Sequence, residues 1–217
     1  MALGKRLINT GGAAAACNTD SVQAFGADAA FSSNIALYQL DGNANDTTTN
    51  YDATSDPNVT YSTGKFGQAA VFNGNNSYIS LPAGVRQNNN FTASLWFNTN
   101  TISAAINLIA FRNGKKFQVQ LNGGVGNGGI RVNAGNNTTV DSASGIVAVN
   151  NWNHLAVVQS STTGLTVYLN NSIVASNSGA TGDLVTVTGI DSIGSYAGTA
   201  NFMDGSIDQI RVFNTAL

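Results

Sequence analysis

The sequence predicts an all-β protein, and three observations carry that prediction. Charged residues make up 9% of the 217 positions and glutamate is absent, against about 25% charge in an ordinary globular chain. Asn, Thr, Ser and Gly stand in place of the missing Glu, Lys and Arg, and they favour turns and strands over helices. Apolar residues recur at every second position in several short runs, the period of a strand with one buried face. Turn-forming clusters separate these runs at spacings of roughly 8–12 residues, as in a sandwich or barrel.

Taken in order, residues 1–33 follow neither period and are rich in Ala, Gly, Asn and Thr. They read as an extended arm. Residues 34–217 read as one domain, because no linker interrupts the alternation. "FTASLWF" sets Phe91, Ala93, Leu95 and Phe97 on one face, with Thr92, Ser94 and Trp96 on the other. "KFQVQLN" alternates Phe117, Val119 and Leu121 with Gln118 and Gln120. "GLTVYLN" does the same with Leu165, Val167 and Leu169 against Thr166 and Tyr168. "YLNNSIVA" predicts a hairpin turning at Asn170 and Asn171, since Asn tolerates positive φ. "NGGVGNGG" leads into no helical pattern and no Lys-Ser/Thr pair, so it is a loop and not a phosphate cradle. Pro57 and Pro82 fall outside the strand cores.

Charge narrows the partners. The net charge is −2, and the only basic pairs are Lys5–Arg6 and Lys115–Lys116. Nucleic-acid binding needs a clustered basic footprint, so no nucleic-acid partner is expected. No run approaches the roughly 18 apolar residues of a membrane span, and no membrane partner is expected. Cys17 stands alone, which rules out an intrachain disulfide. "MALGKRL" starts with positive charge, but "INTGGAAAACNTD" lacks the apolar centre of a signal peptide. The start is read as a small-residue arm, and not as a leader cleaved at Cys17.

Three segments resemble the laminin-G-like, concanavalin A-like lectin/glucanase superfamily, in the family's order. They are "ALYQLDGNANDTTTNYDAT" with "TGKFGQAAVFNGNNSYISLP", then "FTASLWFNT", then "WNHLAVVQSSTTGLTVYLNNSIVAS" through "IGSYAGTANFMDGSIDQIRVFNTAL". The resemblance implies a jelly-roll sandwich of two antiparallel sheets, with the last strand lying beside the first.

Asp208 poses a specific question. In "SIDQIRV", simple alternation places it on the face of Ile210 and Val212, where a carboxylate must be paired, hydrogen-bonded or metal-bound. The resemblance implies two solutions: backbone N–H groups of the opening turn, or a structural Ca²⁺ shared with that turn. Asp41, Asn43 and Asp46 of "DGNAND" supply oxygen ligands of the type Ca²⁺ prefers. The alternative is an ordinary Asx turn with Asp208 hydrogen-bonded.

The superfamily includes glycoside hydrolases, which need paired carboxylates about the scissile bond. No strand here carries two inward acids; Asp204 and Asp208 come nearest, but they fall within the family's structural motif. His154 in "WNHLAVV" has no nucleophile pattern with it and reads as structural. No enzymatic activity is expected. Aromatic rings can stack on the apolar faces of sugars. Trp96 and Trp152 are expected in the core, whereas Tyr196 and Phe202 in the loop "SYAGTANF" are the expected glycan contacts.

The opening "MALGKRLINTGGAAAAC" is similar to the starts of virion-associated proteins of marine tailed phages, in which laminin-G-like domains also occur. What this implies is a non-enzymatic virion surface protein, in the capsid decoration or the tail and its fibres. It would be assembled in the host cytoplasm and present in several copies or as a homo-oligomer. The arm would dock to other virion proteins, and the sandwich would stabilise the particle or adhere to host-surface glycans. The alternative is a soluble or cell-surface carbohydrate-binding lectin or adhesin, with a glycoside hydrolase further behind.

Overall fold

The computed structural model describes residues 34–86, 88–112, 114–134, 138–181, 186–187 and 189–217; the arm expected over 1–33 lies outside them. Every regular element among the described residues is a β-strand. The first eight are β1 (Asn34–Tyr38), β2 (Thr60–Thr63), β3 (Gln68–Asn73), β4 (Ile79–Leu81), β5 (Phe91–Thr99), β6 (Ile106–Phe111), β7 (Gly114–Lys115) and β8 (Phe117–Leu121). Then follow β9 (Ile130–Ala134), β10 (Thr138–Asp141), β11 (Asn153–Ser160), β12 (Gly164–Leu169), β13 (Ser172–Asn177), β14 (Thr186–Val187), β15 (Asp191–Ile193) and β16 (Asp204–Phe213).

They form a large sheet in the order β13-β12-β11-β5-β16-β3-β2, with β1 also on β16, and a second sheet in the order β10-β9-β8-β6-β15-β4. A short β14-β7 pair stands apart. All pairings are antiparallel. One apolar core joins the inner faces, with Phe91, Leu95 and Phe97 of β5 and Val157 of β11 from one side and Ile109, Val119 and Val132 from the other. Fully burying such a side chain stabilises by roughly 1.5–3 kcal/mol, which is why period-two alternation specifies the fold so strongly. The Asn170–Asn171 hairpin forms as the sequence predicts, at φ 49° and 69°, with Leu169 paired to Ser172. No helix of the described residues is long and apolar enough to cross a membrane.

β16 is the hub of the large sheet. Its first half pairs with β3, from Asp204↔Asn73 to Ile207↔Ala70, and its second half with β1, through Ala36↔Val212 and Tyr38↔Ile210. The first and last strands are therefore neighbours, as the resemblance implies. Along its other side β16 pairs with β5, but the register moves from Asp208↔Trp96 to Arg211↔Ser94. Three steps on one strand against two on the other make a bulge, and Gln209 sits in it at φ 50°.

That bulge corrects the expectation for Asp208. An extra residue reverses the inward–outward phase, so Ile207, Ile210 and Val212 enter the core while Asp208 pairs with Trp96 across the outer face. Asp208 is still fully buried, because the turn between β2 and β3 covers it. Its Oδ2 accepts the Phe66 N–H at 2.9 Å. The "GKFG" glycines permit this closeness: a Cβ on Gly64 would lie 2.8 Å from that oxygen, and Gly67 has φ +60° against Asp41. Trp96 also departs from expectation; it is half-buried on the outer face and outside the core, since the pleat places it opposite Leu95 and Phe97. Trp152 is half-buried too.

Candidate functional site

The outer face of the second sheet carries a row of polar side chains crossing four strands. Thr139 Oγ1 of β10 donates to Asn133 Oδ1 of β9 at 2.9 Å, and Asn133 Nδ2 donates to Gln120 Oε1 of β8 at 3.4 Å. Gln120 Nε2 donates in turn to Asn107 Oδ1 of β6 at 2.9 Å, and Gln118 Nε2 reaches the same oxygen at 3.1 Å. Beside the row, Arg131 and Asp141 form a two-bond ion pair at 2.8 and 2.7 Å. All bonds of the row run in one direction, and such chains polarise one another. The row ends on Asn107 Nδ2, which is buried and has no acceptor. A buried unmet donor costs about 1–3 kcal/mol; here it is the terminus of an ordered donor series.

The loop between β15 and β16 closes over this end. Asn107 N–H donates to Asn201 O at 2.9 Å, and Asn201 Nδ2 lies 3.5 Å from Asn107 Oδ1. Ser192 Oγ of β15 donates to Ser195 O and accepts the Ala197 N–H. The loop so held carries both aromatic residues expected from the sequence. Tyr196 presents its ring to the Arg112 guanidinium at 4.5 Å, and half-buried Phe202 follows Asn201. The Tyr78 ring packs against Gly198 of the same loop. Amides, hydroxyls and an ion pair on one sheet face, bordered by an aromatic ring, can exchange hydrogen bonds with a polyhydroxylated ligand and stack on its apolar side. The sequence reading missed the amide row, although polar side chains at alternate positions of "FQVQ" and "IRVN" were its signal.

The four residues expected to share a Ca²⁺ divide into two groups. Asp46 is buried and accepts five hydrogen bonds, from the backbone N–H groups of Leu37, Thr48, Asn50 and Tyr51 and from Thr48 Oγ1. Asn43 Oδ1 accepts the Asn45 N–H. Asp41 and Asp208 instead flank the β2–β3 turn, where Asp41 Oδ1 accepts the Gln68 N–H at 2.5 Å. Asp208 Oδ1 is buried without a partner. Since Asp46 is spent on its own loop, the four do not fit one ion as a set. No group of three or more His, Cys, Asp or Glu side chains is gathered for a metal among the described residues. Burial raises the Asp208 carboxyl to about 7, opposed by the Phe66, Lys65 and Gln209 N–H groups and reinforced by Asp41.

Asp56 accepts from Tyr61, Asp204 from Asn100 and Asp191 from the Arg112 N–H. His154 lies on the outer face of the large sheet with its ring 4.9 Å from Trp96. Burial, then the charge of Arg211, holds its pKa below the usual histidine value.

A laminin G-type family model, described as the concanavalin A-like lectin/glucanases superfamily, matches residues 73–217. That span includes the amide row, the 194–202 loop and β16, and excludes the 41–46 turn. No curated protein matches the sequence. Among solved structures, domain 4 of a GH43 extracellular arabinanase from Geobacillus stearothermophilus, in complex with arabinotriose, aligns with TM-score 0.70 and 24% identity over 85% of this chain and 93% of that one. The botulinum neurotoxin serotype G binding domain aligns with TM-score 0.64 and 16% identity over 85% of this chain. The serotype D binding domain gives TM-score 0.61 and 15% identity. The alignment takes in about half of those neurotoxin domains, 48% and 49% of their lengths. At these identities the likeness is one of fold.

Proposed function

The chain belongs to the concanavalin A-like lectin/glucanases superfamily, and from that membership we propose that it is a non-enzymatic glycan-binding module carried on a virion surface. The observation that supports glycan binding is the directional row Thr139–Asn133–Gln120–Asn107 on the outer face of the second sheet, beside the Tyr196 loop. The half-buried Gln120 and Asn133 and the exposed Thr139 present this row to solvent, and amide side chains match sugar hydroxyls in both donor and acceptor capacity. The likeness to an arabinanase domain in complex with arabinotriose favours the same ligand class. Against hydrolysis stands the placement of the acids: Asp204 and Asp208 are held by different partners, the Asn100 amide and the Phe66 N–H. The virion setting draws its support from the composition and from the resemblance of residues 1–17.

Glycan-array screening of the full chain, followed by calorimetry, tests the binding. Saturable binding to an oligosaccharide with Kd of roughly 1 mM or tighter is expected. A folded protein that binds no glycan would overturn the proposal. The setting is tested separately by mass spectrometry of purified particles, where the chain should be present. Removing residues 1–30 should leave a folded domain that no longer enters particles.

A further inference from the structure

Arg112 stands at the Tyr196 border of the amide row. Ser192 of β15 pairs with Ala110 of β6, Ala110 with Gln118 of β8, and Gln118 with Asn133 of β9. These four residues therefore share one line across the outer face of the second sheet. Arg112 follows Ala110 by two positions, about 7 Å along the strand direction and on the same side of the pleat. It is half-buried, and its guanidinium lies 4.5 Å from the centre of the Tyr196 ring.

The strands of this sheet bring little negative charge to that cation. Residues 57–140, which supply β4, β6, β8 and β9, contain no Asp or Glu. Asp141 of β10 is paired with Arg131 at 2.7 Å, the one ion pair among the described residues. Asp191 of β15 is 1% exposed, and its Oδ1 accepts the backbone N–H of Arg112. The loop over residues 194–203 has no acid. The Tyr196 ring attracts the guanidinium through its quadrupole, but it carries no net charge to cancel that of the cation.

We propose that the glycan bound on this face is acidic, with the carboxylate of a uronic or sialic acid unit seated on the Arg112 guanidinium; this rests on the glycan-binding reading above. A guanidinium presents a planar fork of N–H donors that matches the two oxygens of a carboxylate. The ring beside Arg112 holds that fork in place before the ligand arrives, which lowers the ordering cost of binding. The amides of the row then serve the hydroxyls of neighbouring sugar units. A neutral glycan would meet the same amides and gain nothing from the charge.

Matched oligosaccharide pairs, with uronic or sialic acid units in one member and carboxyl-reduced sugars in the other, test this against the full chain. Calorimetry of the tightest pair should give the acidic member at least about tenfold higher affinity. That advantage should shrink as salt is raised from about 50 to 500 mM, since a half-exposed contact is screened; this readout needs no variant. In Arg112→Gln, with folding verified by a thermal melt, the acidic member should bind no better than the reduced one. Arg112→Lys keeps the charge without the fork and should retain part of the advantage. Equal affinities for the two members, an advantage indifferent to salt, or one that survives in folded Arg112→Gln would each overturn the proposal. Binding confined to neutral glycans overturns it and leaves the glycan-binding reading in place, whereas binding of no glycan overturns both.

Discussion

The Phe66 N–H donates to Asp208 Oδ2 at 2.9 Å, linking residues 142 positions apart. This bond holds the β2–β3 turn against the outer face of the large sheet and explains a carboxylate inside β16. The same enclosure sets a pH dependence. The Asp208 pKa is raised from 3.8 to about 7, so the folded state binds the proton more tightly than the unfolded chain. Its contribution to stability therefore grows as pH falls from about 7 toward 4, and is lost as pH rises through 7. His154 acts in the opposite sense: its lowered pKa makes acidification below its unfolded value destabilising. The difference in Tm between wild type and Asp208→Asn isolates the carboxyl, and should shift in favour of wild type as pH drops from 8 to 5. A pH-independent difference would count against the assignment.

Asp46 has a larger structural role than its neighbours in the same turn. With five donors on one buried carboxylate, Asp46→Ala leaves several N–H groups unmet and should cost about 3 kcal/mol or more. Asn43→Ala removes one exposed bond to Asn45 and should stay within about 0.5 kcal/mol. Urea denaturation of both variants measures the contrast; equal losses would mean the loop is not organised around Asp46.

Which features were legible in the sequence follows from the range of the physics behind them. Period two is local, so β5, β8 and β12 could be read directly from Phe91, Phe117 and Leu165 onward. The face of Asp208 could not, because the bulge at Gln209 arises where β16 changes partners from β3 to β1, a tertiary event. Trp96 was placed on the correct face by alternation but expected in the core, because strand pattern does not tell which outer-face residues a distant turn will cover. The amide row needed register: Gln120 and Asn133 are 13 positions apart and meet only once β8 and β9 pair.

The bulge itself can be tested through Gln209, which holds φ 50° in the middle of a strand. A left-handed conformation costs a non-glycine residue roughly 1–2 kcal/mol and is worse for a β-branched one. Gln209→Gly should match or exceed wild-type stability, whereas Gln209→Val should lose about 1–2 kcal/mol. In a regular strand the order would reverse, since valine favours strands and glycine weakens them. Chemical denaturation showing valine above glycine would contradict the bulge.

The amide row makes the sharpest functional prediction, because its members differ in what they should do. Asn133 and Gln120 are half-buried and relay hydrogen bonds toward Asn107. Replacing either with Ala removes one ligand-facing amide and interrupts the polarised chain. Glycan affinity should fall about tenfold, the equivalent of roughly 1.4 kcal/mol. Tyr196→Ala removes the aromatic border and should cost a similar factor, while Thr139→Ala, at the exposed start of the row, should cost little. Gln120→Glu is the diagnostic change: it keeps an oxygen toward Asn133 but removes the amide that donates to Asn107. Affinity should fall at least as far as in Gln120→Ala, a pattern calorimetry against the array-selected glycan would read directly. Wild-type affinity in Gln120→Glu would mean that the ligand does not meet the row.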